Sequence, residues 1–179
     1  MNIKQLILIL LCSFILPRTL SAQSLPESWM GKWEGTVEIW SNNQMVDSFP
    51  MSLTITPTDT DWDYVIDYQR DPERPDVRRY SLFSLNDSIG HFAVDEHNGI
   101  ILDTYRNGNC LNSAFSGMNT HLLMRLCLEE DGMAYEITSM PSEAQRINEE
   151  HVLEGDTIPE IRAYSVINIM RANLVKAEE

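Results

Sequence analysis

Asp61-Trp-Asp-Tyr-Val-Ile-Asp-Tyr68 is the stretch that decides the fold. Trp62, Tyr64, Ile66 and Tyr68 fall on one side and Asp61, Asp63 and Asp67 on the other. A helix would scatter these residues around its axis, whereas a strand turns successive side chains to opposite faces and separates them into one apolar and one wet face. The same period runs outward in both directions. Upstream, Trp33, Val37 and Ile39 alternate with Glu34, Thr36 and Glu38 in Lys32–Ser41, and Phe49, Met51, Leu53 and Ile55 alternate with polar partners. Downstream, strands are expected at Val77–Leu85, Ile89–Asp95, Gly99–Arg106, Asn109–Ser116, Asn119–Glu129 and Gly132–Met140. Asn86-Asp87, Asn98-Gly99, Asn107-Gly108, Gly117 and Asp131-Gly132 punctuate them as turns.

Short strands at about ten-residue spacing, with no long helical interruption, describe an all-β antiparallel meander. An open sheet of that length leaves two edges that invite aggregation, so the expected solution is an up-and-down barrel of about 8–10 strands. Residues 142–160 break the pattern: they are polar, rich in Glu and Asp, and read as a loop with room for one helical turn at Glu143–Ile147. Ile161–Leu174 turns apolar again. Its Ile161, Tyr164, Ile167 and Met170 spacing fits a helix, but the β-branched content of Arg162–Ile169 favours a closing strand.

The first 22 residues read as an export signal. Lys4 is followed by the apolar run Leu6–Leu16, about half of a membrane span, and Leu20-Ser-Ala22 offers a small residue for cleavage. Cys12 follows Leu11, where a lipid-modified cysteine would have a small neighbour, so lipidation is not expected. Residues 23–179 then form one barrel domain, periplasmic or extracellular in a bacterium, with no membrane span. The chain carries 13 Lys+Arg against 27 Asp+Glu. Without Lys4 and Arg18 the balance is 11 against 27, a net charge of −16. Such a surface repels phosphate backbones and anionic lipid, which argues against nucleic acid and electrostatic membrane docking as partners.

Cys110 and Cys127 remain after cleavage, an even pair suited to an oxidising compartment. If Met118-Asn119 is a two-residue loop, Gly117 pairs with Thr120 and the two cysteines stand directly opposite. If Gly117-Met118 is the loop, Cys110 faces Arg125 and no bridge forms. Both registers keep Leu111, Ser113 and Phe115 with Leu122, Met124 and Leu126, so export alone tips the reading to the bridge.

Asp59-Thr-Asp61-Trp-Asp63 begins like a calcium loop, but Tyr64 and Arg70 stand where that loop needs Gly and Glu. His91, His97, His121 and His151 are scattered without metal spacing. Asp103, inside Gly99-Ile-Ile-Leu-Asp-Thr-Tyr105, is the carboxylate whose side is undecided. If Ile101 and Tyr105 face inward it is buried and needs Arg79, Arg106 or Arg125; if Ile100 and Leu102 do, it is an exterior acid. Trp33, Trp62, Tyr64, Tyr68, Phe115 and Tyr135 are the large residues on inward faces. With Asp103 they are the candidate lumen residues, and they either fill the barrel or line a pocket for one small ligand.

Gly31-Lys-Trp33-Glu-Gly35 resembles the G-x-W motif that opens the barrel of lipocalins and other calycin-like proteins, and is similar to the start of nitrobindin-like barrels. The block from Tyr80 to Phe115 looks like a group of secreted bacterial proteins. The lipocalin resemblance implies a calycin-like barrel that binds a small hydrophobic or amphipathic molecule, with Arg162 or Arg171 stacked on the motif tryptophan. The T-D-Y element of lipocalins is absent. The nitrobindin resemblance implies a haem-ligating His late in the chain, where only His151, in the polar segment, is available. No haem or other cofactor is therefore expected. The expected function is non-catalytic ligand binding. A filled barrel acting as a protein-interaction module at the envelope is the alternative, and a lumen-based isomerase or lyase the third reading.

Overall fold

The structure is a computed structural model that describes residues 25–178. The export signal read at residues 1–22 lies outside the described residues. A short 3-10 turn, Glu27–Trp29, leads into β1 (Gly31–Ser41), β2 (Gln44–Pro57), β3 (Trp62–Tyr68), β4 (Asp76–Asn86), β5 (His91–Asp95), β6 (Ile101–Asn107), β7 (Cys110–Gly117), β8 (Thr120–Leu128) and β9 (Met133–Pro141). Four three-residue strands follow: β10 (Arg146–Asn148), β11 (His151–Leu153), β12 (Asp156–Ile158) and β13 (Ile161–Ala163). The last strand is β14 (Asn168–Lys176). Strands β1 to β9 pair in sequence, all antiparallel, and β14 inserts between β9 and β1 to close a ten-stranded barrel. Among the described residues no helix is long and apolar enough to cross a membrane.

The meander needs tight turns, and asparagines that tolerate a left-handed backbone supply three of the four residues of its two-residue links, Met118 being the exception. Asn42 and Asn43 at φ 50° and 62°, and Met118 and Asn119 at 48° and 60°, form the two-residue links of β1–β2 and β7–β8. The second link sets the register in which Gly117 pairs with Thr120 and Cys110 with Cys127. Their Cα atoms are 4.0 Å apart and the side chains are joined in a disulfide.

Closure depends on β14 approaching its neighbours closely. A Cβ on Gly35 of β1 would stand 2.4 Å from the Asn173 carbonyl oxygen. One on Gly132, just before β9, would stand 2.3 Å from that of Leu174. Two glycines on opposite sides of the same strand therefore let it seat.

The segment before β14 corrects two expectations. Residues 142–160 are not a plain loop with a helical turn: β10 to β13 form a hairpin arm. Arg146 pairs with Ala163, and His151 with Ile158, in one continuous register. The ladder is interrupted where Pro159, which has no N–H to donate, lies opposite Glu150. Glu154 and Gly155, at φ 53° and 94°, make its tip. The closing strand accordingly starts at Asn168 rather than Ile161, and Ile161–Ala163 belong to the arm.

Candidate functional site

The barrel interior is built from alternate residues of each strand, and it is filled. Trp33, Tyr64, Tyr68 and Tyr135 are all buried, while Trp62 and Phe115 face inward and are half-buried. The Trp33 indole N–H donates to the Trp29 carbonyl at 3.0 Å, so the N-terminal turn plugs that end. Lys176 lies 5.4 Å from the Trp33 ring. Neither arginine expected there takes that place, because Arg171 sits over Trp40 and Arg162 lies in the arm.

Four tyrosines from three strands cross the middle of the barrel. The Tyr68 and Tyr135 hydroxyls are hydrogen-bonded to each other, and Tyr64 stacks on Tyr80 with ring centres 6.2 Å apart. Arg78, anchored by Asp76, lies 4.9 Å above the Tyr68 ring. Burial holds the Tyr64, Tyr68 and Tyr135 hydroxyls well protonated by pushing their pKa values up. Beside this layer lies an internal cavity of about 20 Å³, walled by Tyr64, Leu82, Val94, Thr104, Leu111, Ser113, Met124 and Leu126. That is space for about one water molecule, against the roughly 300–1,000 Å³ of a ligand pocket. The Tyr64 hydroxyl is buried without a hydrogen-bond partner.

Asp103 is a correction to the candidate set. Leu102 and Thr104 of β6 turn inward, so Asp103 lies on the outer face with its side chain 65% exposed. It accepts a hydrogen bond from His91 Nε2 at 2.6 Å, and the His91 ring stacks on Tyr105 at 4.5 Å. The cross-strand neighbours explain the choice. Ala93, opposite Asp103, is fully buried but on the opposite phase of β5 from Phe92 and Val94, which pack into the core.

On that outer face lies the shortest ladder of the closed barrel. Strands β6 and β7 share only three residue pairs, Tyr105–Asn112 to Asn107–Cys110, where β7 and β8 share eight. Past Tyr105 the ladder stops, and a side-chain bond spans the seam: Thr104 Oγ1 donates to the Asn112 carbonyl at 3.2 Å. Outside the seam, across β6 to β9, runs a groove of about 530 Å³. Tyr105, Ala114, Leu123 and Thr138 give it apolar surface, while Asp103, Asn112, Arg125 and Glu136 supply polar groups. Arg125 lies between Asn112 and Glu136 in the cross-strand register and reaches Cys110 Sγ at 3.5 Å. Ser113 and Met124 line both this groove and the inner cavity.

Two other outer depressions are of similar size. One of about 500 Å³ lies between the Asn42-Asn43 turn and Val166–Ile169. Another of about 640 Å³ follows the outer β1–β14 surface. There Glu38 accepts from the Trp40 indole at 2.8 Å and from Arg171 at 3.2 Å, and these two hydrogen bonds hold its pKa down. Among the described residues no group of three His, Cys, Asp or Glu is placed to hold a metal ion.

Of the seven sequence candidates, Tyr64, Tyr68 and Tyr135 are brought together in the packed layer and Trp33 at the plugged end. None of the seven except Asp103 touches the groove. A signal that could have found the groove is the alternation of His121, Leu123 and Arg125, which as easily suits a lumen but lies on the outer face, with Leu123 exposed. No family model, no curated protein and no solved structure matches this chain.

Proposed function

We propose that this chain is an exported lipocalin-like barrel that binds a small amphipathic molecule without transforming it, and that it does so in the outer groove of β6 to β9 rather than in the lumen. The groove's lining carries the reading: of three outer depressions of about 500, 530 and 640 Å³, it is the one that sets Tyr105, Ala114 and Leu123 beside Arg125 and Asn112, whereas the cavity beside the tyrosine layer holds about 20 Å³. That lining supports an amphipathic ligand. Tyr105, Ala114 and Leu123 offer area for an apolar body, and Arg125 and Asn112 offer donors for a polar head. The apolar leader sequence and the Cys110–Cys127 bridge both support export to an oxidising compartment. The test is titration with the amphipathic dye anilinonaphthalene sulfonate, read by fluorescence. The full chain binds one equivalent, and Ala114→Trp, which fills the exposed groove floor, weakens binding at least tenfold. Equal binding by the variant rejects the groove.

A second reading is favoured by one specific observation. The arm exposes Ile147, Val152, Leu153 and Ile161, between 47% and 70% accessible, on a filled barrel. Aliphatic groups displayed this way serve a protein-interaction module. Replacing residues 146–163 by a short glycine link removes partner binding under this reading and leaves dye binding intact under the first.

A further inference from the structure

The barrel has two unlike ends. Neighbouring strands are antiparallel, so the links alternate between the ends, and the Trp29 turn plugs the end where β1 begins. The other end collects the β1–β2 and β7–β8 turns, the β5–β6 link and the arm. Among the described residues, most of the large apolar side chains that stand exposed lie there: Met45, Val46, Ile100, Ile101 and Met118, together with those of the arm. Met118 is the most telling. It is 100% accessible and holds φ 48° in a two-residue link where Asn or Gly folds at less cost. The matching position of the β1–β2 link is Asn42. Folding gains nothing from an apolar side chain at Met118, which points to something outside the barrel that it meets.

Charge says what kind of surface that is. Residues 142–163 carry six carboxylates against Arg146 and Arg162. The register of the arm sets Glu149 opposite Glu160, like charges on facing positions, which destabilises a hairpin. One arginine, Arg162, serves both: it bonds Glu160 at 2.6 Å and feels the charge of Glu149. Ile147 and Leu153 share that face of the arm, because side chains two apart on a strand point the same way. We propose that this end of the barrel docks a protein partner whose own surface is basic and aliphatic, with Met118 and the Ile147–Leu153 face of the arm as its contacts. The proposal rests on the interaction reading of the arm, extends it to a second element of the barrel, and is independent of the groove. The partner's aliphatic groups cover the exposed side chains, methionine adapting to their shape, and its lysines or arginines relieve the Glu149–Glu160 pair. An anionic bilayer meets the same carboxylates with repulsion.

The experiment measures fluorescence anisotropy of three labelled amphipathic model peptides of equal length, built from leucine and lysine, leucine and glutamate, or serine and lysine. The full chain with its disulfide intact binds the leucine–lysine peptide about tenfold more tightly than either of the others, since area and charge must both match. Met118→Asn leaves the thermal melt intact and weakens that peptide about fivefold, the fold-change of one contact residue. Glu149→Gln with Leu153→Ser weakens it as well and flattens its salt dependence. Ile89→Ser with Val175→Ser, which removes side chains 62% and 61% accessible at the plugged end, leaves binding unchanged. Equal binding of all three peptides, or an equal loss in the plugged-end variant, overturns the proposal. Loss in the arm variant with none in Met118→Asn also overturns it and leaves the arm reading standing alone. Capture of the chain by phosphatidylcholine vesicles, with no peptide bound, assigns this end to a membrane surface and overturns it too.

Discussion

Trp33 shows how much one residue of the opening motif carries. Its indole is buried, its N–H is satisfied by Trp29, and Lys176 covers its outer face. Trp33→Ala should cost about 3–5 kcal/mol, the range for deleting a buried large aromatic. Denaturant melts check this, and a loss under about 1 kcal/mol contradicts it. At this scale the period-2 reading located the inward residues well: Trp33, Tyr64, Tyr68 and Tyr135 all face the core as their alternation required. Asp103 was not legible, because Ile100-Ile-Leu102 puts apolar residues on both phases. The choice is made by neighbouring strands, whose Phe92 and Leu111 are buried on the inward phase. The unpartnered Tyr64 hydroxyl was equally unreadable, since orphaned groups depend on packing across the barrel.

The strands themselves were legible wherever an apolar face met a wet one, and least so where neither face enters the core. The hairpin arm is the clear case: its apolar residues remain exposed, so nothing in their pattern separates it from a loop except the Glu154-Gly155 tip. The closing strand was found but misplaced, because Ile161 to Ile167 are as apolar as the strand that follows and yet lie outside the barrel. What fixes β14 is its close seat against β1. Gly35→Ala drives a methyl group into the Asn173 carbonyl, and should cost about 1–3 kcal/mol as overpacking against backbone that cannot swing aside. A thermal melt unchanged by that substitution rejects the close-seat account. The bridge between β7 and β8 is a smaller contribution. It spans 17 residues already held by a two-residue turn, so Cys110→Ala with Cys127→Ala should lose less than the roughly 3 kcal/mol of the chain-entropy value. Equilibrium unfolding of the double variant measures it, and a larger loss shows that the hairpin does not form without the bridge.

At the scale of the whole molecule, a filled lumen ties stability to tyrosine protonation. Burial raises the Tyr64, Tyr68 and Tyr135 pKa values above the roughly 10 of the unfolded chain. Above that pH the unfolded state has lost protons that the folded state keeps. Stability is therefore intact below pH about 10 and falls as pH rises, by up to about 1.4 kcal/mol per pH unit for each tyrosine. Phenolate absorbance of these three should appear together with loss of the near-ultraviolet signal, and gradual ionisation in the folded barrel contradicts the packed layer. Under the proposed function the same packing leaves the outer face for binding, where the ladder between β6 and β7 is the shortest of the barrel. Amide chemical-shift mapping during titration with anilinonaphthalene sulfonate tests that claim most directly. Shifts are expected on Asp103, Tyr105, Asn112, Ala114, Leu123 and Arg125; shifts centred instead on the Asn42–Asn43 turn or on the 146–163 arm would contradict binding in the groove.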